Sequence, residues 1–390
     1  MNFAPIRKYV TKTKQIDPTK LGRSTIVYID ISSLDKDTKT IFTPSVIPAN
    51  NAPSRARKIV CEGDVIVSTV RPNLNSVALV PARYNGEIAS TGFCVLRAIR
   101  AELDPIYLFY FTQTEAFINR LTQLSIGAGY PAVSDEDILD AEILLPPLLE
   151  QQRMAAILVK ADHLRRLRRY ALDLGESYLQ SVFLEMFGDP AANPKRWPIG
   201  IIEDVVTSTQ YGTSEKSNSE HKGYPVLGMG NITYSGEIDL TNLAYVDLSS
   251  KEFEKLRLQP GDIIFNRTNS TELVGKTACW KYNLDAVIAS YLVRIKLNDE
   301  ILPDYFASLL NTRYFKGLLQ ERCKKAVGQS NISPTLLQEF PVLKPSIPLQ
   351  QKFAQIVHKY ERLHAQQREA ARQTEHLFQT LLHRAFAGEL

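Results

Sequence analysis

A chain of 390 residues, at roughly 150 per domain, holds two or three domains. With 44% apolar and 23% charged residues each domain can bury an ordinary core, which excludes a disordered chain. The net charge of +4 is spread along the sequence, so a nucleic-acid surface would require Lys and Arg to be sorted onto one face. Taken in chain order, short β-branched runs broken by Gly, Pro and Asn predict strands at residues 24–31, 64–70 and 77–80. A helical patch follows at 106–124 and a Pro hinge at Leu145-Pro146-Pro147. Next comes a stretch of about 38 residues without Pro, rich in helix formers. The series then begins again, with strands at 261–265 and 287–296, a helical patch at 303–325, a second hinge and a second helix-forming stretch.

The recurrence is a duplication. Gly63-Asp64-Val65-Ile66-Val67 returns as Gly261-Asp262-Ile263-Ile264-Phe265, and Ile88-Ala89-Ser90 as Ile288-Ala289-Ser290. Gly129, Gln151-Gln152-Arg153 and Phe187 answer to Gly328, Gln350-Gln351-Lys352 and Phe386. The offset stays between 198 and 200, and a period of domain size means two related domains rather than a solenoid.

The two helical stretches carry matching heptad seams. Met154, Ile157, Ala161, Leu164, Ala171, Tyr178 and Val182 lie 199 residues before Phe353, Ile356, Tyr360, Leu363, Ala370, Leu377 and Leu381. Interruptions fall at Arg168 and Gly175, and again at Gln367 and Thr374. Matching seams predict that the helices pair, and the chain path makes the pair antiparallel, a rod of ~57 Å. Separate packing of each helix on its own domain is the alternative.

Catalytic chemistry is not in evidence along the chain. Residues 1–150 contain no His, no metal-ligand spacing of Cys and His occurs, and Val274-Gly275-Lys276-Thr277 lacks the first Gly of a phosphate-binding loop. Four scattered cysteines, no apolar run of ~18 residues and no secretory stretch at residues 1–8 lead us to expect a cytoplasmic protein with no cofactor or metal. What remains are loops that mix Arg or Lys with Asn, Ser and Thr, side chains suited to base edges and phosphates. In the first half the candidates are Arg55, Arg57, Lys58, Arg71, Asn73, Asn75 and Tyr130. In the second they are Tyr211, Thr213, Ser214, Lys216, Lys222, Arg267, Asn269, Lys276, Gln329 and Asn331. Ordinary solvated loops would look the same residue by residue.

Several of these segments resemble the specificity subunits of type I restriction–modification enzymes. The likeness rests on residues 68–75 (STVRPNLN), 89–97 (ASTGFCVLR) and 130–134 (YPAVS). It is strongest at residues 145–153 (LPPLLEQQR) and 179–188, and extends to residues 211–216 and 223–232. The resemblance implies an α+β fold with two target recognition domains (1–147 and 189–346) and two spacer helices (148–188 and 347–390) forming an antiparallel coiled coil. It further implies a non-catalytic subunit whose partners are double-stranded DNA, methyltransferase (modification) subunits and restriction subunits. Diverged copies imply an asymmetric bipartite target. A two-domain protein-interaction scaffold is the competing reading, and a steep fall of affinity with salt would separate the two.

Overall fold

The computed structural model describes residues 3–127, 129–270, 272–326 and 329–390; the side chains of residues 176, 177, 324–326 and 329 fall outside that description. Gly328, matched above to Gly129, thus lies outside the described residues. The chain divides into two compact units, Met1–Tyr170 with Arg368–Leu390, and Ala171–Gln367. Each unit therefore contains a part of each long helix.

In the first unit an antiparallel sheet runs in the order Val10–Thr11, Phe93–Ala98, Val65–Ser68, Val77–Leu79. The strand Val65–Ser68 is buried at every residue because both its faces are covered. Val65 and Val67 join a core built with helices, while Ile66 faces a second core with Ala78, Phe93 and Val95. That is why its sequence is continuously apolar instead of alternating. A further sheet runs Ser45–Pro48, Thr25–Ile29, Ile88–Ser90, Ala56–Ile59, with its middle pair parallel. The second unit repeats both sheets: Val206–Tyr211, Leu292–Leu297, Ile263–Asn266, Thr277–Cys279; and Ala244–Val246, Tyr224–Leu227, Val287–Ile288, again with one parallel pair. It adds a sheet of Thr268–Asn269, Gln329–Asn331 and Lys324–Ala326.

Each predicted helical patch is two helices, Pro105–Phe111 and Glu115–Leu124, then Pro303–Leu310 and Arg313–Arg322. Threonine makes the break. The Thr114 and Thr312 hydroxyls accept the backbone N–H groups of Phe117 and Phe315, starting a new helix where the continuous pattern predicted none. After each Pro hinge a wholly buried glutamine ties helix to domain. Gln151 donates to the carbonyls of Glu102 and Pro146 and accepts from the Asp104 N–H; Gln350 does the same with Glu300, Pro345 and Leu302.

The long helices are Leu148–Phe187 and Ile347–Ala387. Within the first unit Met154, Ala155, Leu158 and Ala161 share a core with Phe378, Leu382 and Ala385, and Arg165 meets Glu375 at 3.0 Å. Within the second, Phe183 and Phe187 pack on Phe353, Tyr178 stacks on Tyr360, and the Tyr360 hydroxyl donates to the Gly175 carbonyl at 2.9 Å. In each unit the helical segments run antiparallel. The predicted seam nevertheless needs correction. Leu164, Tyr178, Leu363 and Leu377 are 39–49% exposed, and Ile157, Ala171, Val182, Ile356, Tyr360, Ala370 and Leu381 are only partly buried. Leu158, Phe183, Val357, Phe378 and Leu382, each one residue beyond a predicted position, are buried; Met154, Ala161 and Phe353 remain buried as expected. Polar groups explain the displacement. Asp162, Arg165 and His364 occupy inward positions by pairing with Arg166, Glu375 and Glu237, and an apolar count passes over them.

Candidate nucleic-acid interface

In the first unit one series of loops is joined by backbone hydrogen bonds. The Thr91 N–H donates to Arg55 O, the Thr69 N–H to Gly92 O, and the Arg71 N–H to Pro131 O at 2.7 Å. This places Arg55, Arg71 and Tyr130, all exposed, on neighbouring loops beyond the end of the strand Val65–Ser68. Arg71 has a left-handed backbone, φ 50°, and its guanidinium lies over the Tyr130 ring at 4.4 Å. Asn73 is exposed beside it.

The second unit builds the same arrangement from different positions. Arg267 directly follows the strand Ile263–Asn266, its N–H donates to Tyr291 O, and its carbonyl accepts the Ile332 N–H. The Arg267 guanidinium lies over the Tyr211 ring at 4.9 Å. Tyr211 ends the strand Val206–Tyr211, whereas Tyr130 belongs to the loop that leads to the helix Asp135–Leu139, so the pairing is not a copied contact. Asn331 is exposed and accepts from the Thr268 hydroxyl; Asn269 is half-buried; Ser214, Lys216 and Lys222 are exposed. Gln329 sits on the neighbouring strand, its side chain outside the described residues. Asn266 is wholly buried with neither amide atom hydrogen-bonded, and the Arg267 Nε is likewise buried and unbonded. Tyr291, 47% exposed and adjoining Arg267, was passed over because nothing in its local sequence sets it apart.

Four candidates are committed elsewhere. Lys58 is buried, bonded to the Asp135 carboxylate at 2.5 Å and to Phe93 O at 2.6 Å. Lys276 is buried and donates to the carbonyls of Met229 and Ile232. Asn75 is buried, its amide donating to Thr112 O, and Thr213 is buried with its hydroxyl accepting the Glu215 N–H. All four are buried and hydrogen-bonded within the protein, and composition conceals this because their burial is tertiary. Arg57 is intermediate, 3.9 Å from Asp17.

Arg71, exposed, and Arg267, half-buried, each set over a Tyr ring, offer donors for phosphate and guanine edges at a low ordering cost. Among the described residues no group of His, Cys, Asp and Glu is placed to hold a metal ion, and no helix is long and apolar enough to cross a membrane. Two domains with polar, cation-bearing loops suit a class of nucleic-acid-recognition proteins, and the comparisons give the family. The chain belongs to the family of the type I restriction modification DNA specificity domain, which it carries twice, at residues 12–169 and 194–373. It is similar to the EcoKI type I restriction enzyme specificity subunit of Escherichia coli (strain K12), 24% identical over 306 residues, 73% of this chain and 65% of that subunit. The match thus spans a little under two thirds of that relative. A solved structure concerned with complex assembly and conformational transition of the type I R-M system is 28% identical, with a TM-score of 0.62, covering 100% of this chain and 98% of that one. The type I restriction-modification S subunit from M. genitalium shares the fold at 16% identity and a TM-score of 0.61, covering 99% of this chain and 96% of that one.

Proposed function

We propose that this chain is the non-catalytic DNA-specificity subunit of a cytoplasmic type I restriction–modification system. Residues 1–147 and 189–346 each read one half of an asymmetric bipartite site on double-stranded DNA. Residues 148–188 and 347–390 form an antiparallel coiled-coil spacer that sets the unread gap and docks the methyltransferase and restriction subunits. The observation that carries the reading is the Arg-over-Tyr pair, built independently in both units at the loop leaving the same strand. Different neighbours around the two arginines favour two different half-sites. Docking is supported by a groove found on each unit at repeat-equivalent places. One is lined by Gln180, Leu184, Thr312 and Tyr314, the other by Gln379, His383, Thr114 and Ala116.

The test is selection by the full chain, alone and with its methyltransferase subunit, from a duplex library with a randomised window. The expected product is two short motifs separated by an unread gap, bound with a steep salt dependence. Recovery of unselected sequence, or salt-independent capture, would refute the reading.

A further inference from the structure

The recognition loops end at one and the same structural position in the two units. The Ser68 N–H donates to Ser76 O at 2.9 Å and the Asn266 N–H to Lys276 O at 2.8 Å; Val77 then pairs with Val67, and Thr277 with Phe265. The residue closing the loop is therefore Asn75 in the first unit and Gly275 in the second. Both are left-handed, at φ 47° and 82°. At Gly275 a Cβ would stand 2.3 Å from Leu319 Cδ1, so any other residue would force that side chain to move.

A lysine ammonium sits on the carbonyl of each closing residue. Lys39 Nζ donates to Asn75 O at 2.6 Å and to Asn75 Oδ1 at 3.1 Å, and Lys316 Nζ donates to Gly275 O. The two lysines come from unrelated elements. Lys39 lies between the strands Leu34–Asp35 and Thr40–Ile41, Lys316 on the helix Arg313–Arg322. Repeat alignment pairs neither with the other, so duplication alone does not account for the shared contact. A charged donor away from water holds a peptide plane more firmly than a neutral one.

We infer that Lys39 and Lys316 are positioning residues, each clasping one recognition loop in the shape that presents Arg71 or Arg267 to DNA; this rests on the function proposed above. Neither lysine touches the duplex. Burial, and after it Arg165, draws Lys39 down to about 8; Asp35 and Asp37 oppose that fall and Lys36 adds to it. Burial, and after it Lys276, draws Lys316 down to about 7, with the Tyr234 ring 5.8 Å away. Lys316 thus loses charge near neutral pH, and Lys39 at mildly alkaline pH.

The experiment is the duplex-library selection with full-length wild type, Lys39→Met, Lys316→Met and Lys39→Arg. Methionine keeps volume and removes a buried charge, so folding is retained, as thermal melts will verify. Lys39→Met should cost roughly fivefold or more in base discrimination in one half-site only, and Lys316→Met the same in the other. Lys39→Arg should preserve discrimination, and no variant should alter the slope of affinity against salt. In the wild type, discrimination in the Lys316 half should fade between pH 6.5 and 8.5, and it should be flat in Lys316→Met. If Lys316→Met misfolds, Lys39→Met against Lys39→Arg still tests the clasp in the other half-site. Unchanged motifs with a flat wild-type profile, or equal blurring of both halves, would overturn the clasp while leaving the proposed function intact. A wild type that selects no motif would overturn the proposed function itself, and the clasp with it.

Discussion

Arg267→Ala separates a recognition residue from a structural one. Its backbone bonds, to Tyr291 O at 3.1 Å and from the Ile332 N–H at 2.9 Å, survive the substitution. What the fold loses is the guanidinium over Tyr211, worth ~0.5–1 kcal/mol where the ring is partly exposed. For a unit of about 200 residues that lowers Tm by at most about 4 °C. Binding loses more. An arginine bidentate to guanine contributes ~1–3 kcal/mol of discrimination, or about 5- to 140-fold in Kd. Fluorescence anisotropy on the selected duplex, paired with thermal melts, measures both sides. A base contact leaves the salt slope unchanged, whereas a phosphate contact lowers it by ~0.9. A variant that melts ten or more degrees early yet binds the wild-type motif normally at low temperature would show that Arg267 is structural and the assignment mistaken.

Other perturbations test the packing. Leu158→Ala, in the core of the first unit, should cost ~2–5 kcal/mol in urea unfolding, and Leu164→Ala, 39% exposed, about 0.5 kcal/mol or less; the reverse order would restore the uncorrected seam. Lys316 gives a pH signature. The unfolded chain holds this proton to about 10.5 while the folded one sheds it above about 7, so between those values the unfolded state binds more protons and stability rises with pH. The stabilising effect of Lys316→Met on Tm should therefore be full below about pH 7 and shrink by pH 8.5; a constant difference would argue against burial of the charge. Insertion of four residues after Leu174 should widen the unread gap by roughly two base pairs, at ~6 Å of helix rise. Methylation mapping that showed an altered half-site would contradict the spacer role.

Where local sequence determines local structure, reading it succeeded. The strands around Val65 and Ile263 were legible because burial on both faces demands unbroken apolar runs. The repeat was legible because the clasping glutamines Gln151 and Gln350 and the hydroxyl bonds of Tyr107 and Tyr305 tolerate little drift. The helix seam misled by one residue because Arg165 and His364 are buried through partners far away in sequence, Glu375 and Glu237. Lys58 and Lys276 looked like surface cations for the same reason. Their acceptors, Asp135, Phe93, Met229 and Ile232, come from other segments, and a one-dimensional pattern cannot assemble them. The Arg-over-Tyr pairs were half legible: the arginines stand out in their loops, but no sequence spacing joins them to Tyr130 and Tyr211.

Finally, the division of the chain sets an order of completion during synthesis. The second unit is one continuous segment, Ala171–Gln367, whereas the first needs Arg368–Leu390 to close the core around Tyr107, Phe109 and Leu158. The Phe386 ring lies 4.7 Å, centroid to centroid, from that of Tyr107. Vectorial folding ordinarily finishes the amino-terminal domain first. Here the amino-terminal unit is the last to be sealed. A chain synthesised only as far as Gln367 holds every residue of the second unit and leaves the first without Phe378, Leu382 and Ala385 in its core. The segment Arg368–Leu390 thus governs when the unit made first is closed.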